Sequence, residues 1–329
     1  MMNLNARALV ILILFFNSCS LFDFGPIKEI GNETTVDSAY DIIIQNDIAY
    51  IAAYEYGLWI IDVSDPTNPS TLGICDTPGY ACEVRVFGNY AYVADCENML
   101  EIIDISDLKN PFIVGTYATP YCASGIEIFD KYAFVVDYSG DLIVLDLSIP
   151  TAPTLVSSFN APNCSYLDPM PSAVFISGKY AYFCDGSDGL RIIDYSNPQE
   201  PNELGFFDIK GGETGGYMSD ISVSGDYAYI SVNPFGLYIY DISDPNNPIE
   251  VNYWFTKGDA SGVFYTDGIA YISNGKEGIQ MLDVSDPKNI IQLETYSIEG
   301  NIDNSFVYRN FIYVADLDFG LRVLSWNKE

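Results

Sequence analysis

The amino-acid sequence predicts an all-β fold, a seven-bladed β-propeller of four-stranded antiparallel blades, from three regularities. Seven aromatic anchors follow one another at intervals of 42, 42, 48, 47, 42 and 42 residues: Tyr50, Tyr92, Phe134, Tyr182, Tyr229, Tyr271 and Tyr313. Twelve residues after each anchor stands a second fixed position: Asp62, Asp104, Asp146, Asp194, Asp241, Asp283 and finally Ser325. No helical period of apolar residues persists between these positions. A period of this length indicates one supersecondary unit copied along the chain.

Each copy has the pattern of four short strands joined by tight connections, as the second copy illustrates. Its segments CEVRVF and YAYVAD are strand-like and are separated by Gly88 and Asn89, a hairpin-turn pair. LEIIDIS is a third strand, DLKNP is a turn, and FIVGTYAT is a fourth strand. Third strands are apolar on both faces, which a sheet stacked between two neighbours requires. Four strands in about 42 residues match one propeller blade.

The two ends of the chain together predict how the ring closes. The last copy stops after its third strand, LRVLSW, and lacks a fourth strand. The residues ahead of the first full copy resemble a fourth strand, so we expect Ile27 to Gly31 to pair with the last blade near Leu321 to Leu324. An open ring would leave an unpaired edge, which closed β architectures avoid.

Four segments carry a resemblance to a known repeat family: LWIIDVSDPTNP, LEIIDISDLKNP, LYIYDISDPNNP and IQMLDVSDPKN. With the AYVAD-like strands ahead of them, they resemble the LVIVD repeat family of bacterial and archaeal cell-surface β-propellers, over about residues 27–326. The resemblance implies a scaffold in the cell envelope and supplies no catalytic motif. The repeated Asp stands where a strand becomes a turn, and we interpret it as a turn cap rather than a catalytic acid.

The first 19 residues have the layout of a secretory signal. The apolar run ALVILILFF is too short to span a bilayer, and Asn17, Ser18 and Cys19 follow it. A Cys after a small residue resembles a lipoprotein processing site. We therefore expect a signal peptide over residues 1–19 with lipidated Cys19, a tether over 20–26 and one propeller domain over 27–329. The protein is then anchored by lipid in a bacterial envelope, at the outer membrane or cell surface; an ordinary secretory signal and an uncleaved anchor are the alternatives.

The charge of the chain restricts its partners. The formal net charge is −31, from 45 acidic and 14 basic residues, so nucleic acid is disfavoured and a basic partner or a divalent cation such as Ca²⁺ fits the sign. Solubility is the simpler interpretation of the same charge. The chain has no His, which removes Ser-His-Asp and Cys-His catalysis and His zinc sites. No cofactor motif is evident.

Six cysteines follow Cys19, all in the first four copies: Cys75, Cys82, Cys96, Cys122, Cys164 and Cys184. An exported protein favours disulfides, and the strand pattern places Cys82 and Cys122 both near Cys96 without choosing between them. A thiolate metal cluster is disfavoured because no C-x-x-C pair exists. A buried free thiol is the competing interpretation for Cys184, which aligns with Ala94.

Two consecutive connections between blades carry all the extra length, and insertions in repeat proteins often mark the binding face. They predict a binding face formed by the loops 160–172 and 208–219, with aromatic and acidic side chains suited to a carbohydrate or a cationic group. The connections between second and third strands open on the same face. The candidates are Tyr166, Asp168, Met170, Glu213, Tyr217, Tyr54, Tyr56, Tyr138 and Phe235. Ordinary turn chemistry and strand-end packing also explain such residues.

Two functions remain open at this point. The favoured one is a non-enzymatic, envelope-anchored scaffold that binds an unknown protein or carbohydrate and meets the membrane only through its lipid. The alternative is a hydrolase or lyase that uses a carboxylate-bound divalent cation in the propeller channel. Its discriminating feature is convergence on the axis of side chains at the starts of the first strands: Asp41, Glu83, Ser124, Asp220 and Asn304.

Overall fold

The computed structural model describes residues 27–33, 38–97, 99–161, 172–186, 189–207 and 216–326. These residues form 28 strands and no helix, grouped into seven four-stranded antiparallel sheets. The predicted seven-bladed propeller is confirmed. Within the described ranges, no helix is long and apolar enough to cross a membrane.

The blades follow one another in chain order, and each runs from its inner first strand to its outer fourth strand. Blade one comprises β2 (Asp41–Gln45), β3 (Ile48–Ala52), β4 (Leu58–Asp62) and β5 (Ser70–Cys75). Blade two comprises β6 (Ala81–Phe87), β7 (Tyr90–Asp95), β8 (Met99–Asp104) and β9 (Phe112–Ala118). Blade three comprises β10 (Ala123–Phe129), β11 (Tyr132–Asp137), β12 (Asp141–Asp146) and β13 (Thr154–Asn160). Blade four comprises β14 (Ala173–Ser177), β15 (Tyr180–Cys184), β16 (Leu190–Asp194) and β17 (Asn202–Phe207).

The remaining blades include the one that joins the two ends of the chain. Blade five comprises β18 (Tyr217–Ser224), β19 (Tyr227–Asn233), β20 (Gly236–Asp241) and β21 (Ile249–Phe255). Blade six comprises β22 (Gly262–Thr266), β23 (Ile269–Ser273), β24 (Ile279–Asp283) and β25 (Ile291–Tyr296). Blade seven comprises β26 (Ile302–Tyr308), β27 (Phe311–Asp316), β28 (Gly320–Ser325) and the N-terminal β1 (Lys28–Glu33).

The inner strands form a closed circle, because each first strand contacts the first strands of both neighbouring blades, including β2 with β26. We call the end of the ring where the first strands begin the loop face. It carries the connections between blades and those between second and third strands. The opposite end, where first strands turn into second strands at pairs such as Gly88 and Asn89, is the hairpin face.

The hydrophobic core lies between adjacent blades rather than at one centre. The aromatic anchors of the repeat are all buried, and Tyr92 and Phe134 are fully excluded from solvent. Tyr92 and Leu100 of blade two pack with Ile126 and Val135 of blade three in one such cluster. Stacking of neighbours therefore explains why third strands are apolar on both faces.

The closing strand is confirmed. β1 pairs antiparallel with β28, from Lys28 opposite Ser325 to Glu33 opposite Leu321. Ion pairs strengthen this seam, since the Arg322 guanidinium lies 2.6 Å from a Glu29 carboxylate oxygen and 3.1 Å from one of Asp316.

The repeated Asp caps the turn after each third strand, as expected. Its carboxylate accepts the backbone N–H two residues later, at 2.9 Å for Asp62, 2.8 Å for Asp104 and 3.0 Å for Asp241. The hydroxyl of the serine two residues later and this backbone N–H together hold the pKa of each carboxyl below its usual value. All six copies that have Asp at this position make the bond, so the constant spacing reflects a structural role in the turn.

Candidate functional site

A cavity of about 660 Å³ opens where the first strands begin, at the loop face. One residue from each blade lines it at an equivalent position of the repeat: Tyr40, Cys82, Ser124, Ser172, Ser219, Ser261 and Asp303. We call these seven residues the rim ring. In four blades a β-bulge adds this residue to the first strand, at Cys82, Ser124, Ser219 and Asp303. A bulged residue lies outside the ladder, which frees its side chain to differ from blade to blade.

The next position along each first strand also reaches the cavity in five blades. It supplies Asp41, Glu83, Ala173, Asp220 and Asn304. Four of the five residues that the sequence singled out for convergence belong to this set, and the fifth, Ser124, lies in the rim ring. All five residues that the sequence singled out therefore line the cavity.

Three of these carboxylates bind the next blade. Asp41 accepts the Val84 N–H at 3.0 Å, and Glu83 accepts the Ile126 N–H at 2.6 Å. Asp220 likewise accepts the backbone N–H of Val263 at 2.9 Å. Each therefore clamps neighbouring first strands together, which is a structural role that the alternation pattern did not reveal.

Arg85 is the cation at the centre of this cluster. Its guanidinium donates to Asp41 at 3.0 Å and to Glu127 at 3.2 Å, and it also forms an ion pair with Glu83. On the other side of Asp41, the Asn304 amide donates to the second carboxylate oxygen at 2.9 Å. Both carboxylate oxygens of Asp41 therefore accept hydrogen bonds.

Burial makes three carboxyls of the cavity harder to ionise than usual. Burial raises the pKa of Asp220 to about 7, against the opposing effect of its backbone hydrogen bonds. Burial, together with the charges of Asp41 and Asp220, raises the pKa of Asp303 to about 7. Burial also raises the pKa of Glu83 well above its usual value, although Arg85 opposes the shift. The cavity therefore carries carboxyls that titrate near neutral pH.

Tyrosine rings form one wall of the cavity and its rim. Tyr54 stacks between Tyr40 and Tyr80, with ring centroids 4.8 and 4.4 Å apart. Tyr138 and Tyr217 also line the cavity. Burial and the nearby carboxylate of Asp303 raise the pKa of Tyr40 to about 12, so its hydroxyl is a neutral hydrogen-bond donor at physiological pH.

The other predicted binding residues differ in their exposure and in whether the structure describes them. Tyr56 is exposed on the loop face. Phe235 packs against the core between blades four and five and under Gly216, which makes it a packing residue. Tyr166, Asp168, Met170 and Glu213 lie outside the described residues, as do Cys19 and Cys164.

The structure contains one disulfide bond within the described residues. Cys96, after β7, is bonded to Cys122, ahead of β10, with their Cα atoms 4.2 Å apart. Cys82 is a free thiol in the rim ring, and burial together with Asp95 raises its pKa to about 12. Cys184 is a buried free thiol. The disulfide ties two blades together at the loop face.

No group of three or more Cys, Asp or Glu side chains in the described ranges is arranged to hold a metal ion. The carboxylates of Asp41 and Glu83 instead accept hydrogen bonds from backbone N–H groups, and Asp41 pairs with Arg85. Ca²⁺ stays a prediction from the charge of the chain alone.

Comparison with known proteins establishes the family. The model of the LVIVD repeat matches six segments, residues 37–77, 78–119, 122–161, 171–209, 215–256 and 257–297. The chain belongs to the LVIVD repeat family. Its seventh blade, divided between the two ends of the chain, falls outside the matched segments. A search of curated proteins found no match.

Solved structures show the same fold at low sequence identity. This LVIVD protein is similar to U3-55K, with 9% identity over 91% of this chain and 98% of that one, at a TM-score of 0.72. The designed protein Ika8 matches at 7% identity over 90% and 99%, with a TM-score of 0.67. BamB from Moraxella catarrhalis matches at 13% identity over 91% and 88%, with a TM-score of 0.60. At these identities the likeness concerns the fold alone.

Proposed function

We propose that this protein is a non-enzymatic, envelope-anchored scaffold that binds a carbohydrate or a basic protein surface at its loop face. The observation that carries the proposal is the loop-face cavity, in which every blade contributes a residue at one repeat position. Its volume of about 660 Å³ lies within the range of small-ligand sites, roughly 300–1,000 Å³. Tyrosine rings and carboxylates together suit either ligand class.

Binding explains the cavity better than catalysis does. The acids nearest the axis are occupied by backbone N–H groups of the next blade and by Arg85. A general acid or base has to reach a substrate proton, and a metal ligand needs a free oxygen. The residues left to meet a ligand are those of the rim ring and the neighbouring tyrosines. Asp303 is the one carboxylate in the rim ring, and one carboxylate does not supply the set of oxygen ligands that a divalent-cation site requires.

The direction of β1 supports an anchor that leaves the cavity accessible. β1 begins at the hairpin face, because Lys28 pairs with Ser325 at the end of β28, and it runs toward the loop face. A lipid on Cys19 would therefore hold the hairpin face nearest the membrane. The cavity would open away from the bilayer, toward soluble or cell-surface partners.

The binding proposal is tested by arrays of glycans and of basic peptides, probed with the purified protein. Tyr138→Ala removes a ring from the cavity wall, and Tyr253→Ala is the matched control, because Tyr253 is exposed on an outer strand. We expect the Tyr138 variant to lose at least about tenfold in affinity for any array hit and the control to bind as the parent does. Equal binding by both variants, or no hit on either array, would contradict the proposal.

The anchor is tested separately with Cys19→Ala. We expect this variant to lose incorporation of labelled palmitate and to leave the membrane fraction. Cys82→Ala, which alters a thiol in the cavity, should incorporate label normally. Unchanged labelling of the Cys19 variant would refute the lipid anchor and leave the binding proposal standing.

A further inference from the structure

The rim ring differs between two parts of the circle. Ser occupies four of its seven positions, and three of those hydroxyls donate to backbone carbonyls: Ser124 to Val136, Ser172 to Met218, and Ser261 to Asp303. The three positions that are not Ser are Asp303, Tyr40 and Cys82, in blades seven, one and two. These blades are neighbours around the closed ring. The distinct chemistry of the cavity is therefore concentrated in one sector.

Asp303 is the charged member of this sector. Within the described residues its carboxylate has no ion-pair or hydrogen-bond partner, and the nearby charges of Asp41 and Asp220 raise its pKa. It also lies near Tyr40 and Cys82, whose pKa values its charge raises. A recessed carboxylate beside two others is costly unless a cation or donors compensate it.

Arg85, the cationic residue of this cluster, is already paired with other carboxylates. Arg85 forms ion pairs with Asp41, Glu83 and Glu127, and within the described residues it forms none with Asp303 or Asp220. Asp259 adds a further carboxylate to the lining. Negative charge thus exceeds positive charge in the cavity, and a neutral sugar would bury that excess without compensating it.

We propose that the cavity receives a cationic side chain, a lysine ammonium or an arginine guanidinium, from a partner polypeptide, with Asp303 as its counter-ion. Tyr40 and Tyr138 line the cavity and would contact its apolar stem. This inference rests on the proposed binding function and narrows its ligand to a basic protein segment. Acids on the surrounding loops, such as Glu55, Glu97 and Glu277, attract such a segment from a distance.

The test uses an octalysine peptide with blocked ends as the probe, at physiological salt, by calorimetry. Asp303→Asn removes the counter-ion and keeps the shape. Asp318→Asn is its matched control, because it changes the net charge equally and lies exposed on the same face. We expect Asp303→Asn to weaken binding at least about tenfold and Asp318→Asn less than about twofold. An octalysine acetylated on every side chain should not bind.

The parent protein provides a second readout that does not depend on the variant's folding. Binding should strengthen between pH 6 and 8, since Asp303 and Asp220 ionise in that window while lysine stays charged. The groups that face Asp303 from the packed elements are Tyr40 and Asp41, Cys82, Glu83 and Arg85, Tyr217 and Asp220, and Asp259. Of these, Asp220 has a pKa of about 7, and burial raises the pKa of Glu83 well above its usual value. Asp303→Asn should reduce the pH dependence.

The outcomes separate this inference from the function on which it rests. The proposal of a cationic ligand would be wrong if Asp303→Asn and Asp318→Asn weakened octalysine binding equally. It would also be wrong if acetylated octalysine bound as well as the unmodified peptide. Binding of a glycan in the cavity in place of octalysine would overturn it too, while leaving the scaffold function intact. Absence of binding to peptides and glycans alike would remove both.

Discussion

Gly31 tests whether the closing strand packs as the structure describes. A Cβ added there would lie 2.3 Å from the carbonyl oxygen of Pro66, in the turn of blade one, and 3.1 Å from Pro69 Cδ. The same crossing recurs inside the ring, where a Cβ on Gly73 of β5 would lie 2.2 Å from the Leu108 carbonyl oxygen. Gly31→Ala therefore has to push β1 away from blade one.

The expected magnitude has a lower and an upper bound. Extra atoms forced into a packed site typically cost about 1–3 kcal/mol. The alternative response is detachment of β1, which exposes Ile27, now 6% exposed, and Ile30, each worth roughly 1.5–3 kcal/mol when fully buried. We expect Gly31→Ala to lower the free energy of unfolding by about 2–4 kcal/mol. Gly73→Ala should cost more, because β5 lies within the chain and cannot detach without opening blade one.

Urea unfolding followed by tryptophan fluorescence measures this loss. Trp326 contacts Tyr271 edge-on at 6.4 Å and packs in the same cluster as Ile27, so its emission reports on the closing blade. Gly178→Ala is the control, because its φ of 60° imposes a backbone cost of about 1 kcal/mol while nothing lies within 4 Å of the added atom. If Gly31→Ala unfolds no earlier than Gly178→Ala, the packing of β1 is not as described.

Three further predictions concern the scaffold and its acids. Asp241→Ala removes two hydrogen bonds from the following serine and should destabilise the fold by about 1 kcal/mol in thermal melting, where an unchanged midpoint would deny the turn cap. Replacing Cys96 and Cys122 by Ser opens a 26-residue connection and should lower the free energy of unfolding by about 3 kcal/mol; unfolding like that of the parent would show that the bond is not formed. Because the folded pKa values of Asp220 and Asp303 are raised to about 7, their contribution is present below the unfolded pKa and is lost as pH rises toward 7. Asp303→Asn should therefore lose less stability than the parent between pH 5 and 8, by on the order of 2 kcal/mol, and parallel pH profiles would contradict this.

The repeat made the fold predictable to the level of single residues. The anchor at Tyr92 and the turn Asp104 recur at one spacing because each blade must bury the same ring and close the same turn. Closure followed from a missing fourth strand and an unused segment at the other end of the chain. These are consequences of backbone pairing, which one sequence displays seven times over.

The site was less predictable, and the β-bulges are the main reason. A bulge inserts one residue into a first strand, so alternation along β26 does not reveal that Asp303 and Asn304 both reach the cavity. Alignment of the copies does carry a signal for Asp303, since it occupies the position of Ser124 and Ser219 in the repeat. The inter-blade bonds of Asp41 depend on the tilt between neighbouring sheets, which sequence spacing does not specify.

Two adjacent positions at the start of the first strands thus have different roles at the loop face. The inner one, exemplified by Asp41 and Glu83, joins neighbouring blades through the next strand's N–H and is constrained by the stacking of the ring. The preceding one belongs to the rim ring, where the Ser172 and Ser261 hydroxyls also bond the next blade, and it varies most across blades seven, one and two. Substitutions at Asp303 or Tyr40 should therefore change what the cavity binds while the blades remain stacked. Substitution of Asp41 should weaken the ring itself, because Arg85 and the Val84 N–H would both lose their acceptor.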